Sequence, residues 1–90
     1  MSKKNTIDVS FSKADIDYDI KNIISTIKFR RIEKNISQQE LANRVGLKQS
    51  AIARIESNKI MPKIDTILLL SKALGLKLMF KRISTEWNKF

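Results

Sequence analysis

The stretch SQQELANRVGLKQSAIARIE, from Ser37 to Glu56, decides the fold of this 90-residue chain. Ser37 is a favourable N-cap residue, and Glu40 stands where a carboxylate completes a capping box. An apolar face follows, and Gly46, one of only two glycines in the chain, supplies the left-handed backbone that ends a helix. The pattern predicts two short helices in close succession, at about Gln38–Val45 and Gln49–Ser57.

The spacing of the small and apolar residues within this stretch is that of a helix-turn-helix. Ala42 permits a close crossing of the two helices, because a larger side chain there would push the second helix away. Gly46 takes a positive φ at no Cβ cost. The inward positions, which we expect to hold the pair against its neighbours, are Leu41, Val45, Leu47, Ile52 and Ile55.

The opposite face of the second helix is polar and suits contact with the major groove of DNA. A glutamine side chain can bond adenine through two hydrogen bonds, an arginine can bond guanine, and an alanine can meet a thymine methyl group. The alternative is an ordinary helical hairpin that binds no nucleic acid. The residues on this face are Lys48, Gln49, Ser50, Ala53, Arg54 and Ser57.

The charge of the chain also points to an anionic partner. Lys and Arg number 18 against 9 Asp and Glu, a net charge of +9. The excess is concentrated in residues 21–63, which carry ten basic and three acidic side chains. A phosphate-contacting face has this character. The basic residues expected to supply the phosphate contacts are Arg30, Arg44, Lys48, Lys59 and Lys63. One alternative is a soluble protein that is basic throughout without binding nucleic acid. Binding to a membrane surface is a weaker alternative, because no strongly apolar face is left free for it.

Composition excludes most catalytic chemistry. The chain has no cysteine and no histidine, which removes disulfides, thiolate or imidazole metal ligands, and the commonest general base. We therefore expect neither an enzyme nor a bound cofactor or metal. The N-terminus lacks the apolar region of a signal peptide, and no apolar run is long enough to span a bilayer. A cytoplasmic location without membrane association is the expectation.

The flanking segments complete an expected all-α domain of four to five helices with a short C-terminal strand. Ser12 and Asp15 resemble a helix start, and a stripe of isoleucines that we expect to pack in the core, from Ile16 to Ile32, continues to about Lys34. A further helix begins near Lys63 or Asp65 and stops at Gly75, and LKLMFKRI alternates as a strand does. The predicted division is an N-terminal extension at 1–14, either a short strand or a loose segment, the helical domain at 15–75, and the strand and tail at 76–90.

SQQELANRVGLKQSAIARIESNKIMPKIDTILLLSKALG resembles the Xre/Cro family of lambda-repressor-like helix-turn-helix domains, over about Asn22 to Leu74. The resemblance implies that Gln38 contacts phosphate, and that Lys48, Gln49 and Ser50 open the recognition helix. It also implies a deeper base reader at Arg54, and double-stranded operator DNA as the partner.

Two further positions bear on this resemblance. The family often pairs an arginine of the first helix with the glutamate that ends the recognition helix, here Arg31 and Glu56, and such a pair is structural. The family usually has glycine where this chain has Asn58. Because asparagine tolerates the same left-handed backbone, we expect the phosphate-facing turn of Ser57, Asn58 and Lys59 to be kept.

The segment after the fourth helix resembles antitoxins of the HigA and HipB kind, which implies a homodimer that represses its own operon and binds a toxin. Leu76, Leu78 and Phe80 form an apolar edge with no neighbouring strand in sequence. Pairing with a second copy is favoured, and pairing with residues 7–11 of the same chain is the alternative. Trp87 and Phe90 could anchor a toxin, or pack on their own dimer, or remain free. A stand-alone regulator, such as a phage repressor or a restriction-modification controller, and a protein-interaction module without DNA remain alternative functions.

Overall fold

The computed structural model describes residues 12–82, and all of the regular structure in this range is helical. Four helices follow one another along the chain: α1 (Lys13–Glu33), α2 (Gln38–Val45), α3 (Gln49–Glu56) and α4 (Ile64–Ala73). The all-α prediction is confirmed for this part of the chain. The core lies where the helices meet, and its buried apolar members are Ile24, Ile27, Ile36, Leu41, Ala42, Ile52, Ile55, Ile67, Leu70 and Leu74.

Helix α1 begins at the predicted cap. The Ser12 hydroxyl oxygen accepts a hydrogen bond from the Asp15 backbone N–H at 3.2 Å, and the Asp15 carboxylate accepts one from the Ser12 N–H at 3.1 Å. Aspartate therefore closes the capping box that usually takes glutamate. The helix ends at Glu33, and Asn35 follows with a left-handed φ of 56°.

The isoleucine stripe of α1 is only partly a core face. Ile24 and Ile27 are buried, whereas Ile16 and Ile32 are 51% and 48% exposed, contrary to the prediction that the whole stripe packs inward. Helix α1 has 21 residues and is about 31 Å long, so its first turns extend beyond the shorter helices that would cover them. Ile32 lies five positions after Ile27, which rotates it off the buried face.

The joint between α2 and α3 matches the prediction except at Glu40, whose carboxylate does not complete the capping box and lies 3.6 Å from Arg44 instead. The Ser37 hydroxyl oxygen accepts a hydrogen bond from the Glu40 N–H at 3.0 Å. Gly46 has a φ of 74°, and the N–H of Leu47 reaches back to the Ala42 carbonyl at 2.9 Å. The Ala42 side chain is fully buried at the crossing. A larger residue there would separate the helices, as the sequence indicates.

Helix α3 ends at Glu56, one residue earlier than predicted, and Asn58 takes the expected left-handed φ of 60°. Helix α4 begins at Ile64, between the two predicted starts, and Gly75 follows it with a φ of 73°. Ile67, Leu70 and Ser71 are its buried residues, and Leu74, directly after it, is also buried. Ile64, Leu68 and Leu69 are exposed.

The segment after α4 shows no strand within residues 76–82. A strand needs a hydrogen-bonded neighbour, and the described part of this single chain offers none beside the segment. Leu76 and Leu78 are half-buried and pack against the core, while Phe80 is completely exposed. The three predicted dimerisation residues thus divide into two that face the domain and one that faces solvent. Residues 7–11, Trp87 and Phe90 lie outside the described range.

Candidate nucleic-acid interface

The side chains of α3 that point away from the core are called the outward row and are Gln49, Ser50, Ala53 and Arg54. None of them is buried. Ile52 and Ile55 are buried on one side of the helix, which turns the polar residues to the other. None of the nine predicted DNA-contacting residues is buried. The exposed ones are Lys48, Ser50, Arg54, Ser57, Asn58 and Lys59, and the half-buried ones are Gln38, Gln49 and Ala53.

Lys48 occupies the N-cap position of α3, where it makes no side-chain hydrogen bond to the helix. Serine, threonine, asparagine or aspartate at this position would satisfy one of the unpaired N–H groups of the first turn. The start of α3 therefore lacks the stabilisation of a side-chain cap. Lys48 instead places a positive charge next to Gln49 and Ser50, the first two residues of the helix.

Gln49 and Gln38 are joined directly, a contact that the sequence analysis missed. The Gln49 Nε2 donates to Gln38 Oε1 at 2.6 Å, and the Gln38 Nε2 donates to Glu56 Oε1 at 2.9 Å. These three side chains link the start of α2 to both ends of α3. No sequence pattern reveals such a link, because it depends on the angle at which the two helices cross.

Arg31, on α1, is hydrogen-bonded to the same Glu56 side chain. Its Nε and Nη2 donate to the two oxygens of Glu56 at 2.6 and 2.8 Å, and its Nη1 donates to the Ile36 carbonyl at 2.7 Å. The predicted Arg31–Glu56 pair is confirmed as a buried, bidentate ion pair that fastens α1 to the end of α3.

The ion pair changes the pKa of both partners. Burial raises the pKa of Glu56, but hydrogen bonds from Arg31 and Gln38, with the charges of Arg31 and Lys28, outweigh it and hold the pKa below its ordinary value. The hydrogen bond to Glu56 raises the pKa of Arg31, although burial opposes this. Glu56 is consequently ionised at neutral pH and can only accept hydrogen bonds.

The turn after α3 keeps its predicted shape, but its backbone donors are already used. The N–H groups of Ser57, Asn58 and Lys59 donate to the carbonyls of Ala53, Ile55 and Arg54, respectively, at 2.9 to 3.1 Å. The Ser57 hydroxyl also donates to the Ala53 carbonyl, at 2.8 Å. Any phosphate contact from this turn must therefore come mainly from the side chains of Asn58 and Lys59.

Two other basic residues that the sequence offered for phosphate binding are held by the protein itself. The Arg30 Nε donates to the Leu74 carbonyl at 3.0 Å and its Nη1 pairs with Glu33 at 3.1 Å, which ties α1 to the end of α4. Arg44 lies 3.6 Å from Glu40 on the surface of α2. Arg30 in particular acts as a structural contact in this fold.

Two other kinds of feature, a metal-ligand cluster and a membrane-spanning helix, are absent from residues 12–82. Within residues 12–82 there is no group of three acidic, histidine or cysteine side chains that could hold a metal ion. None of the helices α1 to α4 is both long enough and apolar enough to cross a bilayer.

Comparison with known proteins agrees with this geometry. A family model described as helix-turn-helix matches residues 27–80, more than half of the chain. The chain belongs to this helix-turn-helix family, whose members are DNA-binding domains rather than enzymes.

Among solved structures, the chain is similar to one described as a toxin–antitoxin module from Streptococcus pneumoniae. The two are 34% identical, with a TM-score of 0.65, over 93% of this chain and 96% of the other. No curated protein matches the chain.

Proposed function

We propose that the protein is a sequence-specific DNA-binding repressor, and that it acts as the antitoxin of a toxin–antitoxin pair and represses its own operon. The observation that carries the DNA-binding part is the polar face of α3, which points away from the core. It begins next to Lys48, an N-cap residue whose side chain makes no cap hydrogen bond. The similarity to a toxin–antitoxin module over nearly the whole chain supports the antitoxin part.

The proposed contacts divide into base readers and phosphate binders. Gln49, Ser50, Ala53 and Arg54 lie on the outward row of α3 and would face base edges in the major groove. Lys48 and Lys59 stand at either end of that row, where they would meet the two phosphate backbones. Gln38, Ser57 and Asn58 complete the proposed DNA surface.

The protein would act as a homodimer on an operator with two half-sites. The two copies of α3 would then enter successive major grooves about 34 Å apart. Support for self-association comes from the segment after α4, in which Phe80 is wholly exposed and Met79 is 72% exposed. Exposed apolar side chains on a segment that forms no strand with any other part of residues 12–82 favour a second copy as partner. Pairing of the two copies of this segment would supply the predicted strand.

Selection of preferred DNA from a random pool tests the DNA-binding part. We expect the wild-type protein to select a two-fold symmetric sequence, and the Gln49→Ala and Arg54→Ala variants each to lose preference at one base pair per half-site. Lys13→Ala, at the far end of α1, is the matched control and should change nothing. Unchanged preference in both α3 variants, measured at one salt concentration, would contradict the assignment of α3 as the reader.

The antitoxin part needs its own test. Expression together with the product of an adjacent small reading frame should give a stable complex on purification, and should relieve growth arrest caused by that product alone. If no such frame exists, or its product neither binds nor arrests growth, the protein is a stand-alone regulator.

A further inference from the structure

The side chains of residues 76–80, which follow α4, alternate in burial. Leu76 and Leu78 are half-buried against the core, whereas Lys77 and Met79 are exposed. Alternation with a period of two is that of an extended chain, and its even-numbered side chains here point towards the domain. Phe80 belongs to the same inward series, yet it is completely exposed, so no part of residues 12–82 covers it.

A hollow of about 300 Å³, called the α1 hollow, lies between this segment and α1. Apolar side chains form most of its lining, and Phe80 of the same chain is not among them. An apolar cavity of roughly 150 Å³ is large enough to bind benzene, so the α1 hollow has room for a phenyl ring. The residues that line it include Ile23, Thr26, Ile27, Leu76, Leu78 and Met79.

Within residues 12–82 the backbone of the segment is almost unpaired. The N–H of Leu76 donates to the Ser71 carbonyl at 2.8 Å, and no hydrogen bond joins residues 77–82 to another backbone group of this range. The edge of an extended segment is a template for pairing with another chain. A second copy related by a twofold axis would pair antiparallel and would offer the same side chains in the opposite order.

Like charges select one register for such a pair. Directly opposite residues share a face, so both inward series can meet the domains only if the axis passes through a residue. An axis at position 77 places two copies of Lys77 opposite each other, and an axis at position 79 places Lys77 opposite Lys81. Like charges directly opposite are destabilising. An axis at Leu78 places Lys77 opposite Met79 and avoids both conflicts.

We propose that two copies of this chain pair antiparallel over residues 76–80 about an axis at Leu78, and that Phe80 of each copy fills the α1 hollow of the other. With this axis, Phe80 lies opposite Leu76 of the second copy, on the side that faces that copy's domain. The proposal rests on the homodimer of the proposed function. It adds the register, the receiving hollow and the contribution of α1 to the interface.

The α1 hollow suits a phenyl ring better than the other hollow that borders the segment, which lies along α4. Lys77 lines both hollows, but Lys72 lines only the one along α4. A ring seated there would remove water from a second ammonium group, which is unfavourable. The α1 hollow instead offers Ile23 and Ile27, and burial of a phenylalanine against such side chains is favourable.

Disulfide formation between single-cysteine variants tests the register, because the chain has no cysteine of its own. Lys77→Cys and Met79→Cys replace exposed residues and should leave the domain folded. Directly opposite residues have Cα atoms about 4.5–5.5 Å apart, which a disulfide can span, whereas diagonal neighbours lie about 7–8 Å apart. A mixture of the two variants, one with a longer tag, should therefore crosslink on mild oxidation at least about fivefold faster than either variant alone.

Thr26→Lys tests the hollow. Thr26 is an exposed residue of its lining, so a lysine there would place a charge beside the ring of Phe80 without disturbing the core. We expect the dimer dissociation constant, measured by sedimentation equilibrium, to rise about tenfold or more. In Phe80→Ala the same change should add little, because the ring that it excludes is already absent.

Asn22→Lys is the matched control for Thr26→Lys. It adds the same charge at an exposed position of α1, one turn earlier and outside the lining of the hollow. Its dimer dissociation constant should stay within about threefold of the wild-type value.

The outcomes distinguish this inference from the proposed function. Crosslinking by either cysteine variant alone as fast as by the mixture would overturn the register, while the dimer and DNA binding stand. Unchanged self-association in Thr26→Lys would overturn the filling of the hollow, including the case in which that variant instead loses a co-expressed toxin.

A chain that stays monomeric at every concentration contradicts both this inference and the proposed homodimer, and selection of DNA then decides whether DNA binding stands. The expected crosslink supports the inference when the dimer is weakened in Thr26→Lys and not in Asn22→Lys.

Discussion

Arg31 and Glu56 lie 25 residues apart in the sequence, yet their side chains meet in a buried ion pair with N···O distances of 2.6 and 2.8 Å. Their side chains are 11% and 3% exposed, whereas those of the surface pair Arg30–Glu33 are 35% and 69% exposed. This contact joins the first helix to the end of the third. It therefore bears on both the stability of the domain and the arrangement of its proposed DNA surface.

Removing one partner of the buried pair should strongly destabilise the fold. Glu56→Ala leaves the Arg31 charge in a desolvated site, and we expect a loss of about 3–5 kcal/mol in the free energy of unfolding. Glu33→Ala, which breaks the exposed pair, should cost at most about 1 kcal/mol. Denaturant titration followed by circular dichroism measures both. Equal losses would contradict a special role for burial.

The pH dependence of stability should carry the signature of Glu56. Its pKa is lower in the folded protein than in the unfolded chain, so the unfolded state binds the proton more readily. The contribution of Glu56 is thus fully present above the pKa of the unfolded chain, at about pH 4.3, and is lost as the pH falls through the folded pKa. Unfolding titrations from about pH 7 to about pH 2 should show a smaller acid loss in Glu56→Gln than in the wild type. Parallel curves for the two proteins would contradict this assignment.

The helices and their joints follow from local rules, and the sequence therefore predicts them well. Ser12, Ser37, Gly46 and Asn58 each act within a few residues of their own position, and each does what its residue type indicates. Burial is less predictable. Ile16 looks like a core residue by periodicity, but its exposure depends on how far the other helices reach along α1.

The site divides in the same way. The outward row of α3 could be read from periodicity, because the opposite face holds Ile52 and Ile55. The bond between Gln49 and Gln38 could not, since it depends on the crossing of two helices. Arg30 looked like one more phosphate contact in the sequence, and only the tertiary fold places it on the Leu74 carbonyl. Patterns along the sequence do not predict contacts that depend on the angle at which two helices cross.

The left-handed turns at Gly46 and Asn58 should respond in opposite ways to substitution. A Cβ added at Gly46 would meet no atom within 4 Å, so Gly46→Ala isolates the backbone cost of its positive φ of 74°. We expect a loss of about 1–2 kcal/mol in unfolding free energy. Asn58→Gly relieves the same strain at a φ of 60° and should be neutral or slightly stabilising. Thermal unfolding measures both, and a stabilised Gly46→Ala would show that the turn adopts another backbone.

Lys48 should separate stability from DNA binding. Lys48→Ser supplies the missing cap of α3 and should raise the free energy of unfolding by about 0.5–1 kcal/mol. The same change removes a proposed phosphate contact, so it should weaken binding to every DNA sequence and lower the salt slope by about one. Lys72→Ser, in the last turn of α4, is the control for lost charge. A stabilised variant with unaltered DNA affinity would remove Lys48 from the proposed site.

Phe80 should govern self-association. Its side chain is fully exposed in the isolated chain, while Leu76 and Leu78 already pack against the core, so Phe80→Lys should leave the domain folded. Burial of a phenylalanine contributes about 1.5–3 kcal/mol, and its loss should raise the dimer dissociation constant by roughly tenfold or more. Sedimentation equilibrium measures this, with Tyr18→Lys, an exposed aromatic on α1, as the control. Because two half-sites need two copies, Phe80→Lys should also weaken binding to a full operator far more than to a single half-site. A dimer that persists unchanged in Phe80→Lys would place the interface elsewhere on the molecule.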